Sequence, residues 1–481
     1  MQVAYGVLHL NYNGKEPLRS SFIGSWKHLR NLYLSVDRVD DELLPSISKL
    51  QNLQTLKLYR CPLLGFSSCS ESFGDIGNMT SLRHIEIYDA NNYLFPRFIT
   101  KRQNLQTLKL RGCENGRLPQ DIGNIRSLRH IDLSHSRLTG ALPTSITKLE
   151  NLHTLLLEGI KHLNSLSQIS GKLTIRELDQ VRDATDAKEA NLKKKPYLRS
   201  LGLVWNCKPY SSREMKDNDA VTEAENVLER LQPHPNLKEL NITGYGGMKF
   251  ASWMIKSSLL PNLVRIDLWN CTRCESLEFS GPLPSLEYLS LCGLEALKSI
   301  TSKLRKGDGF FPSLKELELT YMPNLESCSI VIDDDDAAQP QKALPSFPHL
   351  PEYWKIRHCP KLESIPWGMP VGEYVILEEG NSAKLLESIL RATDDQISTM
   401  TSTNSSTSFC PKVRSLRLFG CQNLKAFPQD VTSMHPQAVM RYLTNLEELR
   451  IENCTEFTPL ESIGGLISLK ELVISNNAKT G

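Results

Sequence analysis

The 481 residues carry 56 lysines and arginines against 54 aspartates and glutamates, and this formal charge of +2 removes any electrostatic case for a nucleic-acid partner. Hydrophobic residues make up 40% and charged residues 23%, and charge or proline cuts every apolar run within a few residues, so no membrane span is expected. A chain of this length exceeds one globular core unless the core is added coil by coil.

The opening residues, MQVAYGVLHLNYNGKEP, lack a basic start and an unbroken apolar stretch, so they do not read as a signal peptide and a cytoplasmic address is expected. Tyr5, Leu8, Leu10 and Asn13 begin a spacing that Leu29, Leu32, Leu34 and Asp37 continue. The stretch Asn52 to Cys61, NLQTLKLYRC, states it fully. Its heptad returns letter for letter at Asn104 to Leu110, with SLRHIEI (Ser81 to Ile87) between and SLRHIDL (Ser127 to Leu133) after. Aligned, these give LxxLxLxxC or LxxLxLxxS from Leu53, Leu82, Leu105, Leu128 and Leu152, at steps of 23 or 24 residues where regular. That is the signature of a leucine-rich repeat.

One copy shows the physics. In Leu56-Lys57-Leu58 the alternation of a strand turns both leucines inward and Lys57 outward, while Leu53 enters the core just before the strand. Cys61 then turns under the coil, where a ladder residue satisfies loop backbone. Between strands, Leu44-Pro45 with Ile47 and Leu50, Leu118-Pro119 with Ile122 and Ile125, and Leu142-Pro143 with Ile146 and Leu149 predict short helical or 3₁₀ turns on the convex side. The expected fold is α/β: a leucine-rich-repeat solenoid, with a curved parallel sheet on its concave face and short helices, 3₁₀ turns and loops on its convex face.

Regular repeats fill 1–170. Irregular ones follow over 171–481 with insertions near 176–196, 208–232, 333–345 and 378–410, the whole reading as one continuous solenoid. A weak strand is expected at Leu173 to Ile175, a polar helix from about Asp183 to Lys195, and repeats from Leu198, Leu237, Leu263, Leu286 and Leu314. Asp333 to Gln341 and Ser398 to Ser408 read as surface loops. Between them the unit ending at Cys359 has Pro351 and Trp354 at leucine positions, and Tyr374-Val375-Ile376 is a possible strand; repeats resume at Val413, Leu446 and Leu469.

No phosphate loop, HExxH, GxSxG elbow or dinucleotide fingerprint occurs, so no enzymatic activity, cofactor or metal is expected. Cys61, Cys113, Cys271, Cys359, Cys421 and Cys454 occupy the ladder position, a reduced and packed role. Cys271 and Cys274 form a CxxC without a second pair, which is half of a zinc site.

What remains is surface. Lys57, Glu86, Lys109 and Asp132 alternate in sign down the concave column and predict cross-strand ion pairs. Further on, Lys355, Arg417 and Arg450 are all basic with no acid expected in their column, and Trp269, Tyr321, Arg357 and Phe419 are assigned to the neighbouring one, with Trp205 after the strand at Leu201 to Leu203. Aromatics beside arginines make binding hot spots, and these eight residues are the expected partner-binding set, facing an acidic surface.

The LPxxIxxLxxLxxLxL run (Leu142 to Leu157), the block from Lys172 to Trp205, LKELNITGYGG (Leu237 to Gly247) and repeats closing in Cys-Pro, such as Cys359-Pro360, resemble the leucine-rich-repeat region of plant intracellular nucleotide-binding leucine-rich-repeat disease resistance proteins of the coiled-coil class. The resemblance implies an innate-immunity module that senses a pathogen effector or a guarded host protein and holds the receptor's nucleotide-binding domain inactive. The coiled coil and the nucleotide-binding segment with its phosphate loop are missing, and both ends stop within coils, the strand at Leu8 with nothing before it, which reads as a fragment. An F-box-type ubiquitin-ligase adaptor shares the ladder cysteines but not the LPxxI returns. An extracellular receptor ectodomain is hinted at only by Leu138 to Pro143.

Overall fold

In the computed structural model the described residues are 2–4, 6–14, 16–38, 40, 43–60, 79–89, 104–112, 118–136, 142–160, 163–164, 166–181, 184–206, 218–304, 311–332, 353–364, 373–381, 384–386, 388–389, 413–421, 424, 443, 445–457 and 466–475. The expected loops Asp333 to Gln341 and Ser398 to Ser408, and the cysteines at 61 and 113, lie outside them. The chain forms two compact units, Met1–Asn206 with Arg230–His234, and Cys207–Glu229 with Pro235–Gly481.

The first unit is built on ten strands: β1 (Gln2–Ala4), β2 (Val7–Tyr12), β3 (Asn31–Val36), β4 (Thr55–Tyr59), β5 (His84–Tyr88), β6 (Thr107–Arg111), β7 (His130–Asp132), β8 (Thr154–Glu158), β9 (Gly171–Arg176) and β10 (Leu198–Val204). From β2 to β10 each strand pairs in parallel with the next. The register is the one the repeat implies, since Leu56 lies opposite Ile85 and Lys57 opposite Glu86. Leu53, Leu56, Leu58, Leu105, Leu108 and Leu110 are all buried. Each fully buried leucine contributes about 1.5–3 kcal/mol of burial, and stacking makes that burial possible. β1 runs antiparallel to β2, so the edge at Leu8 carries a covering strand, contrary to expectation.

The convex side of this unit follows the proline signals. Helix α1 spans Leu43–Ser48, and 3₁₀ turns span Ile122–Asn124 and Thr144–Lys148. The carbonyls of Pro119 and Pro143 accept the N–H of Ile122 and Ile146 at 3.1 and 3.0 Å, so each proline opens a turn without needing an N–H of its own. The expected insertion helix is present as α2 (Ala184–Glu189) with a 3₁₀ turn at Leu192–Lys194. Behind it Lys195 is 1% exposed and donates from Nζ to the carbonyls of Leu163 (2.6 Å) and Leu166 (3.0 Å).

The second unit has its main parallel sheet in β11 (Glu239–Thr243), β12 (Arg265–Trp269), β14 (Tyr288–Cys292), β16 (Glu316–Thr320), β18 (Tyr353–Arg357), β19 (Tyr374–Glu378), β20 (Ser415–Phe419), β21 (Glu448–Glu452) and β22 (Glu471–Ser475). Trp354 fills a leucine position fully buried. Here the returns differ from expectation: β13 (Ser276–Ser280), β15 (Ser299–Leu304) and β17 (Ser327–Ile332) make a second, three-stranded parallel sheet where helical turns were anticipated. Leu277, Phe279, Ile300 and Leu304 alternate into the core, a period of two that no helix could bury on one side. Helix α3 (Asn218–Arg230) is the second expected insertion, and its Glu225 and Glu229 accept the backbone N–H groups of Met248, Lys249 and Ser252.

A side-chain ladder runs through both units at the residue before each leading leucine. Asn52, Asn104, Asn151, Asn262 and Asn324 donate from Nδ2 to a carbonyl of the preceding coil at 2.7–3.2 Å, and Ser285 and Ser313 do so through Oγ. This is why the repeat letters read NL or SL: the loop carbonyls would otherwise be left without a partner in the protein.

Candidate partner-binding surface

A five-residue main-sheet strand typically turns two apolar side chains inward and three residues outward, giving a first, middle and last outward column. In the first unit the middle column behaves as the alternating charges predict at three of its four charged positions. Lys57 and Lys109 stand 3.0 and 2.9 Å from the two oxygens of Glu86. Burial alone would push the Glu86 carboxyl up, but hydrogen bonds from Lys109, Lys57 and Tyr88 outweigh it and hold the group below the usual carboxylate range. Asp132 pairs with Arg111 of the last column (2.5 Å), not with Lys109. The aromatics of this face were not anticipated: the His9 ring stacks on Tyr33 at 4.2 Å and Tyr59 on Tyr88 at 4.6 Å. Their signal was available, since each lies opposite the other in register.

In the second unit the expected eight residues divide. Trp269 and Tyr321 are 55% and 45% exposed, and Phe419 is half-buried in the last column with Arg357 and Trp269. Trp205, in the first unit, is 4% exposed and does not belong to the surface. It follows Leu201 and Leu203 at a step of two, so the alternation that buries them carries its indole inward as well. The basic column is also not unpaired. Lys355 lies opposite Glu318 in its own column with Nζ–Oε1 at 3.5 Å. Arg417 and Arg450 are direct neighbours, and both reach Glu448 of the first column, at 2.9 and 2.6 Å, while Arg450 also takes Glu471 at 2.7 Å. The acid needed to separate two guanidiniums comes from the adjacent column, which the middle column alone does not show.

Tyr321 lies outside the last column, where Thr320 holds the strand position. It belongs to a fourth column of residues one step past a strand, held at positive φ: Asn270, Tyr321, His358, Glu379 and Asn453, and in the first unit Arg60, Asp89 and Glu177, with His135 also at positive φ three residues past β7. The N–H of Asn270, Tyr321 and Asn453 donates to the last strand residue of the next coil, at 2.8, 2.9 and 3.0 Å. That bond holds a conformation L-residues rarely adopt, and glycine takes the position at 244, 293 and 420. The outcome is a projecting row. Tyr321 stacks on His358 at 4.8 Å, Arg357 lies 5.3 Å from the Tyr321 ring, and Glu379 binds Arg357 at 3.0 Å and His358 at 2.5 Å. The hydrogen bond from Arg357 holds the Glu379 carboxyl below its ordinary value. A sequence signal existed, because Asn270, His358 and Asn453 each immediately precede a ladder cysteine.

Charge distinguishes the two faces. In the three columns of the first unit the charged residues are Lys57, Lys109, Arg111, Lys172 and Arg176 against Glu86, Asp132 and Glu158, histidines aside, a balance of +2. In the second unit Arg265, Lys355, Arg357, Arg417 and Arg450 face Glu239, Asp267, Glu316, Glu318, Glu378, Glu448, Glu452 and Glu471, a balance of −3. Glu239, Glu316 and Glu452 form no ion pair among the described residues.

The buried thiols serve the fold. Cys271, Cys359, Cys421 and Cys454 are buried and direct their thiols at the carbonyls of Ile242, Leu319, Leu377 and Leu418 in the preceding coil, the ladder role expected of them. Cys274 donates to Gly247 at 3.2 Å. Asn381 takes the same place after β19, donating to Ile356 and accepting the N–H of Cys359. His135, Glu158 and Glu177 bring three metal-ligand atoms together, the imidazole Nδ1 standing 3.7 and 3.8 Å from the two carboxylates, an arrangement that a protonated imidazole also satisfies. Among the described residues no helix is long and apolar enough to cross a membrane.

Comparison with known proteins agrees with the geometry. The family described as R13L1/DRL21 LRRs matches residues 160–294, and the Leucine Rich Repeat family matches residues 127–149. A putative disease resistance protein RGA1 of Solanum bulbocastanum is 34% identical over 202 residues, 42% of this chain and 18% of that protein. A putative disease resistance RPP13-like protein 1 of Arabidopsis thaliana is 32% identical over 221 residues, 44% of this chain and 20% of that protein. The chain thus spans about a fifth of the length of these relatives. Among solved structures, a Leptospira interrogans LRR protein superposes with a TM-score of 0.42 at 19% identity, covering 96% of this chain and 100% of that one.

Proposed function

We propose that this chain, a leucine-rich-repeat solenoid related to the repeat region of plant disease resistance proteins, is the recognition and autoinhibitory module of an innate immune receptor. In this reading it works in the cytoplasm without catalysis, meeting a pathogen effector or a guarded host protein and restraining the receptor's nucleotide-binding domain. The observation that carries it is the outward face of the second unit's sheet. There Trp269 and Tyr374 stand 55% and 47% exposed on strands whose backbone groups are paired with neighbouring strands, and Tyr321, 45% exposed, stands one residue past such a strand with its N–H bonded to Arg357 of the next coil. Large rings held on a rigid sheet lose little entropy on binding, which is what a protein-recognition surface requires.

The test is co-purification from leaf tissue expressing the full chain with candidate effectors and with the nucleotide-binding domain of a related receptor. The combined substitutions Trp269→Ala, Tyr321→Ala and Tyr374→Ala should release a bound partner while leaving the thermal melt unchanged. Retention of every partner by that variant would overturn the reading.

A further inference from the structure

We infer that the concave face of the second unit takes a basic protein segment, one presenting lysine or arginine side chains, and not the acidic surface its row of cations suggests. The inference rests on the recognition reading above and names the chemistry of the partner.

Three observations lead there. Every cation in the three outward columns of this unit already has a carboxylate, from Arg265 with Asp267 to Arg450 with Glu471, so an acidic partner would meet cations whose charge is already balanced. The acids, by contrast, are in excess: among the described residues Glu239, Glu316 and Glu452 have no such partner, and they fall in the first and last columns along the length of the sheet. The rings between them are suited to cations. Tyr353 and Tyr374 are neighbours in the first column next to Glu316, and in the same column the Arg265 guanidinium already lies 4.3 Å from the Tyr288 ring centre. An arginine from a partner, placed over Tyr353 or Tyr374, would find that contact again with Glu316 beside it. The Tyr353 hydroxyl is pushed up, first by burial and then, against Lys355, by the carboxylates of Glu318, Glu378 and Glu316, consistent with a locally negative field.

Fluorescein-labelled peptides of equal length, one alternating arginine with serine and one alternating glutamate with serine, are titrated against the full chain by fluorescence anisotropy. The arginine peptide should bind and weaken with added salt, and the glutamate peptide should not. Glu239→Gln, Glu316→Gln and Glu452→Gln together, which break no side-chain bond among the described residues, should weaken the arginine peptide about fivefold or more. Tyr374→Ala should weaken it about two- to fivefold and Tyr374→Phe should restore it. Glu275→Gln with Glu363→Gln, outside the three columns, should change nothing. Equal binding by the triple variant, or preference for the glutamate peptide, overturns the inference. A natural partner that docks on this face through an acidic segment also overturns it while the recognition reading stands. A partner indifferent to Trp269, Tyr321 and Tyr374, in a chain that still binds the arginine peptide, has the opposite consequence.

Discussion

The two units repeat one coil and close it differently. In the first, proline-led 3₁₀ turns cross the convex side, whereas in the second a parallel sheet of β13, β15 and β17 does so. Under the strands the first unit uses Ser136, whose Oγ donates to Leu110, and the second uses thiols and Asn381. Over the strands one face is net basic and the other net acidic. Interior spacing therefore leaves wide freedom outside: two inward leucines per strand suffice for stacking, and the three outward residues are free to specialise.

The register common to both units is the first thing to break. Leu108 is fully buried in the first unit and Leu291 in the second. Leu108→Asp or Leu291→Asp should each cost several kcal/mol, roughly 3–5, by placing an unpaired carboxylate in the core, whereas Lys109→Ala should cost about 1 kcal/mol or less. Urea unfolding of the purified variants checks this, and equal midpoints for Leu108→Asp and Lys109→Ala would show the register to be wrong.

A buried cation sets the first unit apart. Lys195 has its amine held by two carbonyls, and burial pushes it down to about 8 from 10.5. Between those values the unfolded chain binds the proton and the folded one does not, so stability should rise with pH from about 8 to about 10.5. The size is about 3 kcal/mol at 1.36 kcal/mol per unit. Lys195→Met should abolish this rise relative to the parent chain in denaturation measured across that range. A parallel pH profile in both chains would place the amine in a more solvated setting.

These contrasts were unevenly legible in the amino-acid sequence. The strands and their inward leucines could be read because a period of two repeats at near-constant spacing, and even the burial of Trp354 followed from its place in that frame. Trp205 was misassigned although its parity with Leu201 and Leu203 already answered the question. The second sheet was hidden because SLEFS, SITSKL and SCSIVI are only five or six residues long and fall in the return segments, where the repeat pattern of the first unit places turns. The pairing of Arg417 and Arg450 with Glu448 lay beyond reading by columns: it crosses from one column to the next and depends on how long side chains lean.

The ladder difference gives a smaller effect. Asn381→Ala would leave the carbonyl of Ile356 and the N–H of Cys359 without their present partner, at a cost of about 1–3 kcal/mol. Cys421→Ala removes only a weak thiol donor and a small apolar volume, so the loss should be nearer 1 kcal/mol. Chemical denaturation of the two single variants would rank them, and the reverse order would mean that the thiols carry the coil contacts.

The smallest expected effect compares the two carboxylates that each hold a pair of cations. Glu86 is bound by Lys57 and Lys109 with its side chain 8% exposed, and Glu448 by Arg417 and Arg450 with its side chain 19% exposed. Burial works against ionisation in both, and in both the hydrogen bonds prevail and hold the carboxyl below 4.5. A depressed carboxyl contributes stability that is present above its unfolded value and lost as pH falls through the folded one, so both contributions should fade below about pH 4.5. Water screens Glu448 more, and its arginines are half in solvent, so Glu448→Gln should cost under about 1 kcal/mol at neutral pH and Glu86→Gln about 1–2 kcal/mol. Measured at pH 7 and again at pH 3, each variant should differ from the parent less at the lower pH. A larger loss at Glu448 than at Glu86 would mean that the second unit's surface pairs do more than balance charge, and would weaken the case that its cations are merely satisfied and its spare acids await a partner.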